Sequence, residues 1–505
     1  MADFKVAAVF SDNMVLQREK NISVFGWGKN GQTVYVTLSD STVTAKIINN
    51  YWEAILPPKK AENGLVMTIQ CEDYKKEYHN IAIGEVWLAG GQSNMEWELQ
   101  NCKDGLEMLK NHKDPNVRFY YTPKLSYKDS SFYEMEENSG WTEFSETNSK
   151  NWSAVGYVFA RKLAAQLGVT VGIIGCNWGG TSASAWISKD KLAQDKQLST
   201  YLDEYEKAIE GKTIEEQFQE YDEYQEFATE WGQKSARYIA DHPNVSWEEL
   251  QEVCGDSRWP GPMNCKNPFR PGGLYECMLK RIFPYTLKGF IYYQGESDDH
   301  KPQMYYKLLT SMIMQWREDC RDLQLPFLFV QLPMHRYKAD PDFKHWCKLR
   351  EAQMETFLTT KNTGIAVIID CGEFNDIHPK DKVPVGERLA LQAMYHVYDC
   401  VKKENAFGPI YRSFEYKEGG MEITFDYATE GFDVRGEAVG FEIAGEDKEF
   451  VKAKIEIRND KIFVFSPSIN KPKYVRYLWT NYGEVSIFGS NQLPVAPFRT
   501  CKLDD

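Results

Sequence analysis

The stretch LAGGQSNMEW, residues 88–97, passes from an apolar run through two glycines to a serine. The apolar run is typical of a buried strand, and the glycines allow a turn too tight for residues that carry a side chain. Ser93 therefore follows a predicted strand end. The residues after it, Asn94 to Trp97, can begin a helix whose N–H groups point back at the serine. Taken alone, Ser93 is interpreted either as a nucleophile or as a helix cap.

Similar apolar runs, each typical of a buried strand, recur along the middle of the chain and predict an α/β fold. Amphipathic stretches separate these apolar runs. The stretch at residues 157–168 repeats its apolar residues at helical spacing and ends in a glycine. Strands that alternate with helices predict a parallel sheet with helices on both faces. The predicted strands lie in GEVWLAG, VGIIGC, GFIYYQG, FLFVQLP and GIAVIID.

The two ends of the chain predict β-sandwich domains on either side of this sheet. Residues 1–80 alternate short apolar strands with turns such as Asn-Gly and Asn-Asn, and residues 401–505 return to that alternation. The catalytic α/β domain is predicted at residues 81–400. A polar stretch rich in Glu and Tyr, at about 190–270, predicts a helical insertion flanking the site, with its charges solvated.

Charge and composition exclude several classes of partner. The chain has 59 Lys and Arg against 73 Asp and Glu, a net charge of -14, which repels a nucleic-acid backbone. No apolar run approaches the roughly 20 residues of a membrane helix, so we expect no membrane association. The start, MADFKVAAVF, lacks the pattern of a secretory signal, and the eleven cysteines show no ligand spacing. We therefore expect a cytoplasmic location, unless a leader was removed; the sequence carries no signal of oligomeric state.

Further strand ends carry groups suited to acyl transfer. The second strand ends at Gly179 and Gly180, whose uncovered N–H groups suit an oxyanion hole, although a glycine-rich turn is an equally good interpretation. The third strand ends at Gln294, whose side-chain amide can donate to an oxyanion. The last strand leads to Asp376 and His378, an acid and a base of the kind that a serine nucleophile needs.

Ligands of an open parallel sheet collect beyond the carboxyl ends of its strands. We therefore expect Ser93, Gln294 and His378 to meet at one edge, which favours the nucleophile over the cap. Asn94 and Glu296 are candidates for supporting residues at this edge.

A metal site is not predicted. Asp298, Asp299 and His300 follow the third strand, but no second histidine lies at ligand spacing from them. We expect catalysis without a metal.

Four stretches resemble the sequence blocks of the SGNH hydrolases and, among them, of the sialate O-acetylesterase-like carbohydrate esterases. They are GEVWLAGGQSNMEW, WGGTSASAW, YYQGES and NDIHPKDKVPVGERLAL. The N-terminal FSDNMVLQR and VFGWG and the C-terminal GFEIAG and LPVAPFRT extend the resemblance nearly end to end. It implies a flavodoxin-like sheet, no cofactor, and the removal of acetyl groups from sugar hydroxyls.

The resemblance also implies roles for individual residues. Ser93 corresponds to the nucleophile and His378 to the base. The oxyanion hole would combine the Ser93 amide, a glycine of the second block (Gly179 or Gly180) and the side chain of Gln294, which stands where the wider superfamily has Asn.

The sequence leaves open which acid is the third member of the catalytic triad. The superfamily favours Asp three residues before the histidine, a position occupied here by Asn375, whereas the acid falls at Asp376. We predict Asp376, with a Ser–His dyad as one alternative and other acids as a second: Glu296, Asp370 and Glu373.

Other functions compete with the esterase. One is a glycan hydrolase that uses a metal or a carboxylate pair from Glu96, Glu296 and Asp298. Another is a non-catalytic glycan-binding protein. A third keeps the chemistry but replaces sialate by an acetylated plant oligosaccharide such as a xylo-oligosaccharide.

Two residues are candidates for contacts with the sugar. Arg270 can clamp a sialate carboxylate, although a surface arginine is the simpler interpretation. Trp178 can stack on a sugar ring.

Overall fold

The structure, a computed structural model, describes residues 4–242, 245–336 and 344–502, with the side chain of Ser131 left out. The chain divides into two compact units. The first comprises Met1–Ser297 and Lys307–Phe327, and the second comprises Asp298–Tyr306 and Leu328–Asp505. Among the helices of the described ranges, none combines the length with the apolar character that crossing a membrane requires.

The first unit begins with mostly antiparallel strands. They are β1 (Lys5–Val6), β2 (Val15–Gln17), β3 (Ile22–Trp27), β4 (Thr33–Leu38), β5 (Ser41–Lys46), β6 (Tyr51–Leu56), β7 (Glu62–Cys71) and β8 (Tyr74–Gly91). One sheet has the order β1-β3-β6, while β4 pairs with β5 and β7, and β7 pairs with β8. Asn49 and Asn50 both have positive φ and form the tight turn into β6, as the sequence predicts.

Strand β8 connects the N-terminal strands to the central sheet without a break. Its first half pairs with β7, and its second half pairs with strands that follow later in the chain. The predicted domain boundary between residues 80 and 81 therefore falls inside one continuous strand.

The central sheet of the first unit adds β9 (Val117–Tyr121), β10 (Trp141–Glu143), β11 (Val171–Asn177) and β12 (Gly289–Tyr293). Its order is β10-β9-β11-β8-β12. The pairs β9–β11, β11–β8 and β8–β12 are parallel, whereas β10 runs antiparallel to β9. The sheet is thus mixed, with the predicted parallel pairing in its middle.

The helices of this region are α1 (Ser93–Glu96), α2 (Gly105–Asn111), α3 (Ser130–Glu137) and α4 (Ala154–Leu167). Helix α4 confirms the helix expected from apolar spacing. Ser153 caps its first turn by accepting from Gly156 N, and Gly168 ends it at a φ of 66°.

The stretch predicted to be a helical insertion contains α5 (Lys189–Ala193), α6 (Thr200–Ile209), α7 (Ile214–Asp241) and α8 (Trp247–Cys254). Thr213 and Glu216 form a reciprocal cap at the start of α7. Irregular backbone follows α8 until a π-helical turn at Tyr275–Leu279, then α9 (Lys280–Ile282) and α10 (Pro302–Asp319).

The second unit contains α/β elements followed by β-sheets. The former are β13 (Phe327–Gln331), whose first residue is counted in the first unit, α11 (His345–Thr359), β14 (Thr363–Val367), α12 (Val383–His396) and α13 (Lys403–Ala406). The latter are β15 (Ile410–Lys417), β16 (Gly420–Asp426), β17 (Phe432–Val434), β18 (Phe441–Ala444), β19 (Val451–Lys452), β20 (Lys454–Arg458), β21 (Lys461–Phe465), β22 (Tyr474–Tyr477), β23 (Ile487–Gly489) and β24 (Phe498–Arg499).

The C-terminal strands form sheets around one core. The orders are β15-β16-β21-β20, β17-β23 and β19-β18-β22-β24. Met421 and Ile462 from the first sheet share a buried cluster with Ile443 and Val475 from the last. Arg458 pairs with Lys461 across the turn at Asn459-Asp460, as the sequence predicts for this hairpin.

Replacing Gly91 by Ala is expected to destabilise the protein severely. A Cβ atom at this position would lie 2.0 Å from the Tyr293 carbonyl oxygen, and φ is 134°. The strain and the clash together should cost about 3 kcal/mol or more of unfolding free energy, measured by chemical denaturation. Gly31→Ala is the control, because Gly31 also has positive φ but has open space around it, so the loss should be about 1 kcal/mol. Equal losses in the two variants would contradict the prediction.

Candidate active site

Three parallel strands of the first unit end at the same level. Gly91, the last residue of β8, pairs with Asn177, the last of β11, and with Tyr293, the last of β12. The residues that follow these ends are Gln92-Ser93, Trp178-Gly179-Gly180 and Gln294. Ser93, Gly180 and Gln294 thus follow strand ends that lie at one level of this sheet.

Gly91 allows the three ends to approach closely. Because it has no side chain, the Gln92 N–H can donate to the Tyr293 carbonyl at 3.1 Å. The Trp178 N–H donates to the Gly91 carbonyl, also at 3.1 Å. These bonds hold the backbone on both sides of Ser93.

Ser93 is the first residue of the short helix α1 and is half-buried. The turn after β11 packs against it, since a Cβ atom built on Gly179 would lie 3.2 Å from the Ser93 Cβ. Gly179 therefore leaves room beside the serine that a larger residue would fill.

Glu96 is a functional candidate that the sequence analysis placed only in a competing glycan hydrolase. Its carboxylate accepts a hydrogen bond of 2.7 Å from the Gly179 N–H and forms an ion pair with Lys124. The Lys124 ammonium also lies 5.8 Å from the centre of the Trp178 ring. Glu96 thus ties the serine turn to the glycine turn; its position one helical turn after Ser93 is the signal that was available in the sequence.

Gln294 is buried, and its side chain is held at both ends. Its Nε2 donates to the Thr181 carbonyl at 3.1 Å, and its Oε1 accepts from the Tyr292 hydroxyl at 3.3 Å. These contacts fix the orientation of the amide and connect it to the turn that follows Gly180.

Asn94 and Glu296, the two predicted supporting residues, contact each other. The Asn94 Nδ2 donates to the Glu296 Oε1 at 2.6 Å, and both residues are buried. This charge-assisted bond joins the serine turn to the segment that follows Gln294.

Gly180 lies against two aromatic rings. A Cβ atom built on it would be 2.8 Å from the Trp259 ring and 3.0 Å from the Phe269 ring, and its φ is 76°. The irregular segment after α8 therefore reaches the glycine turn. The sequence analysis did not select Trp259 or Phe269.

The two predicted sugar contacts have different surroundings. Arg270 is buried rather than on the surface, and its Nη2 donates to the Ser126 carbonyl at 2.8 Å. Trp178 is half-buried beside Lys124.

His378 and Asp376 lie in the second unit, between β14 and α12. The Asp376 Oδ1 accepts a hydrogen bond of 2.8 Å from the His378 backbone N–H. Asn375, where the superfamily favours Asp, has a φ of 64°. Of these two neighbours, Asp376 supplies the carboxylate beside His378.

Two of the alternative acids in this unit have other partners. Asp370 forms a two-pronged ion pair with Arg388, with distances of 2.5 and 2.7 Å. Glu373 accepts a hydrogen bond of 3.1 Å from the Lys380 N–H. Both carboxylates are thus engaged by groups other than His378.

Burial, together with the positive charge of Lys382 and the neighbouring His335, lowers the pKa of His378 from 6.5 to about 4, and burial is the largest of these causes. The Asp376 carboxylate opposes this shift. His378 is therefore neutral at pH 7, the protonation state in which an imidazole accepts a proton.

Asp299, one of the acids near the third strand, lies beside a histidine. Its Oδ2 is 3.7 Å from the His345 Nε2, and burial raises its pKa. Within the described ranges, no three His, Cys, Asp or Glu side chains group so as to hold a metal ion.

A sequence model of the family described as carbohydrate esterase, sialic acid-specific acetylesterase, matches residues 83–234 and 261–394, more than half of the chain. The chain belongs to this family. The matched stretches include Ser93, Gln294 and His378.

Individual relatives agree with the family. The sialate O-acetylesterase of Mus musculus is 25% identical over 84% of this chain and 79% of its own length. That of Homo sapiens is 23% identical over 84% of this chain and 76% of its own length. A crystal structure of a carbohydrate acetylesterase from Xanthomonas citri has a TM-score of 0.79 and 28% identity, covering 99% of this chain and 100% of that one.

This carbohydrate esterase is therefore an enzyme that hydrolyses carboxylic esters on carbohydrate. The prediction of a carbohydrate O-acetylesterase is confirmed, and the carbohydrate acetylesterase fold extends over nearly the whole chain.

His378 is expected to titrate near pH 4 rather than near pH 6.5. NMR of the esterase with isotope-labelled histidine measures this pKa, with the resonance assigned by its loss in His378→Gln. Lys382→Met should raise the pKa of His378, because a positive charge near the imidazole disfavours protonation. Lys380→Met, at an exposed position nearby, is the control and should leave that pKa unchanged. A wild-type pKa near 6.5 would show that His378 is not desolvated.

Proposed function

We propose that the esterase is a serine O-acetylesterase in which Ser93 is the nucleophile. The observation that carries this proposal is the common level of three strand ends, which puts Ser93 beside the turn at Gly179 and one strand away from Gln294. Such an edge supplies a hydroxyl, backbone N–H groups and a side-chain amide together. We also propose the SGNH arrangement for the catalytic sheet, which the four sequence blocks support.

We assign the base to His378 and the third triad position to Asp376. The lowered pKa of His378 keeps the imidazole neutral and able to accept the Ser93 proton. The Asp376 carboxylate favours the imidazolium that forms during the reaction and holds the backbone of His378.

The proposed oxyanion hole consists of the Ser93 N–H, a glycine N–H and the Gln294 amide. The Gly179 N–H already donates to Glu96, so we assign the glycine donor to Gly180. Glu96 then acts as a positioning residue, because its bond to Gly179 holds the turn that carries Gly180.

The reaction proceeds in two acyl-transfer steps. His378 takes the Ser93 proton while the serine oxygen bonds to the acetyl carbonyl carbon. The ester bond to the sugar then breaks, and the sugar oxygen leaves with the proton from His378. Water next gives a proton to His378 while its oxygen bonds to the acetyl carbon. The bond between that carbon and the Ser93 oxygen then breaks, His378 returns the proton to Ser93, and acetic acid leaves and ionises to acetate.

Two substrates are proposed, in order. O-acetylated sialate comes first, because the family description and the mammalian relatives carry that name. A neutral acetylated oligosaccharide such as a xylo-oligosaccharide comes second. It is favoured by Arg270, whose burial and bond to Ser126 do not suit a clamp for a sialate carboxylate.

Ser93→Ala is expected to abolish acetate release from both substrates, because it removes the nucleophile. It should also abolish stoichiometric labelling by an organophosphorus reagent, measured by mass spectrometry. Ser297→Ala is the matched control: Ser297 follows the neighbouring strand end and donates its backbone N–H to Gln92, a bond that alanine keeps. Labelling that persists in folded Ser93→Ala would rule out Ser93.

Gln294→Ala is expected to lower kcat by about 100- to 1000-fold, since one oxyanion donor is lost. Steady-state kinetics on an acetylated sugar measures this effect. Tyr292→Phe is the control, because it removes a hydroxyl that contacts Gln294 but keeps the amide donor. The kcat of Tyr292→Phe should fall less than tenfold. An unchanged kcat in Gln294→Ala would exclude Gln294 from the oxyanion hole.

A further inference from the structure

We propose that Trp259 is a stacking platform for the sugar ring of the substrate and thereby a specificity-determining residue. This inference rests on the proposed role of Ser93. The ligand class is a pyranose whose C–H face is flat and apolar because its hydroxyl groups are equatorial.

Trp259 presents a large apolar surface to solvent. Trp259 is 56% exposed, although tryptophan is highly buried on average in folded proteins. A rigid, exposed ring provides contact area at a small cost in conformational entropy, which is why tryptophan is frequent in binding sites.

The covered part of the ring is held firmly. The Phe269 ring meets it edge to face, with centroids 5.6 Å apart and an interplanar angle of 74°. On the glycine side, Gly180 approaches so closely that a Cβ atom there would lie 2.8 Å from the ring. The exposed part of the ring is thus fixed in place before any ligand binds.

The backbone around Trp259 is also fixed. The backbone N–H of Trp259 donates to the Ser257 hydroxyl oxygen at 3.3 Å. The Asn267 side chain donates to the carbonyls of Pro260 and Pro262 at 3.4 and 3.0 Å. The exposure of Trp259 is therefore a property of an ordered segment.

Helix α7 supports this segment through aromatic side chains. The Arg258 guanidinium lies 4.1 Å from the centre of the Phe227 ring. The Lys266 ammonium lies 4.4 Å from the centre of the Phe218 ring. A Cβ atom built on Gly261 would lie 2.5 Å from the Tyr224 ring. The insertion thus has a scaffolding role beyond a solvated charged surface.

Trp259 is near enough to Ser93 to contact the acetylated sugar. Gly179 packs on Ser93, Gly180 packs on Trp259, and adjacent Cα atoms are separated by 3.8 Å. These contacts limit the separation between the Ser93 Cβ and the Trp259 ring to roughly 13 Å. A sugar whose acetyl group is at Ser93, or the next sugar of an oligosaccharide, spans that distance.

Trp259 lies outside the part of the chain that the family model matches. The matched stretches end at residue 234 and resume at residue 261. The residues proposed for chemistry lie within these stretches, whereas the proposed platform lies in the segment between them. We therefore infer that Trp259 adapts the common reaction to the sugar that this enzyme uses.

The test compares two esters in three variants. Trp259→Leu keeps apolar bulk against Gly180 and Phe269 but removes the flat ring, while Trp259→Phe keeps a smaller ring. Trp247→Leu is the matched control, since Trp247 is 48% exposed in the same insertion and packs near Trp231. The measured quantity is kcat/KM for the acetylated sugar divided by kcat/KM for para-nitrophenyl acetate, which has no sugar ring. The sugar is the acetylated sialate or xylo-oligosaccharide that the wild type hydrolyses faster.

We expect this ratio to fall at least tenfold in Trp259→Leu, to fall less in Trp259→Phe, and to be unchanged in Trp247→Leu. A ratio within twofold of the wild-type ratio in Trp259→Leu would contradict the proposal that Trp259 stacks on the sugar ring. If Ser93→Ala still hydrolysed para-nitrophenyl acetate, the assignment of Ser93 as nucleophile would be wrong instead. The experiment therefore distinguishes failure of the stacking proposal from failure of the proposed function.

A second measurement needs no variant. N-bromosuccinimide oxidises exposed tryptophans, and peptide mapping by mass spectrometry reports the rate at each position. Saturation with the deacetylated sugar should slow oxidation of Trp259 several-fold and leave that of Trp247 unchanged. Equal rates at Trp259 with and without the sugar would overturn the inference.

Discussion

The proposed site depends on one steric constraint, the absence of a side chain at Gly91. Its Cα faces the Tyr293 carbonyl so closely that a Cβ atom would sit at 2.0 Å. This approach keeps β8 level with β11 and β12 and allows backbone bonds from Gln92 and Trp178 to cross the strand ends. A bulkier residue would separate these ends and with them the serine, the glycine turn and the amide.

Polar contacts then hold the turns that the strands deliver. Glu96 binds the Gly179 N–H and Lys124, while Glu296 binds Asn94. Hydrogen bonds to charged groups are stronger than neutral ones, and partly buried pairs are less screened by salt. Two carboxylates that the sequence made candidates for glycan hydrolysis are thus engaged in positioning the edge on which ester chemistry is proposed.

The residues proposed for the common reaction and the residue proposed for sugar specificity lie in separate parts of the chain. The family match stops at residue 234, inside α7, and resumes at 261. The aromatic face of α7 supports the irregular segment between, which places Trp259 against Gly180. Because loops carried by a rigid support tolerate change, a segment of this kind can vary without disturbing the strand ends.

The sequence by itself determined the local features: the tight turn before Ser93, helix α4 with its C-terminal glycine, the C-terminal hairpin and the family. Short-range periodicity and turn chemistry encode these features. Only the tertiary structure decided that Glu96 binds Gly179, that Arg270 is buried, and that Trp259 lies on Gly180. The physical reason is that such contacts join residues about 80 to 144 positions apart in the chain, where no local pattern specifies which side chains will meet.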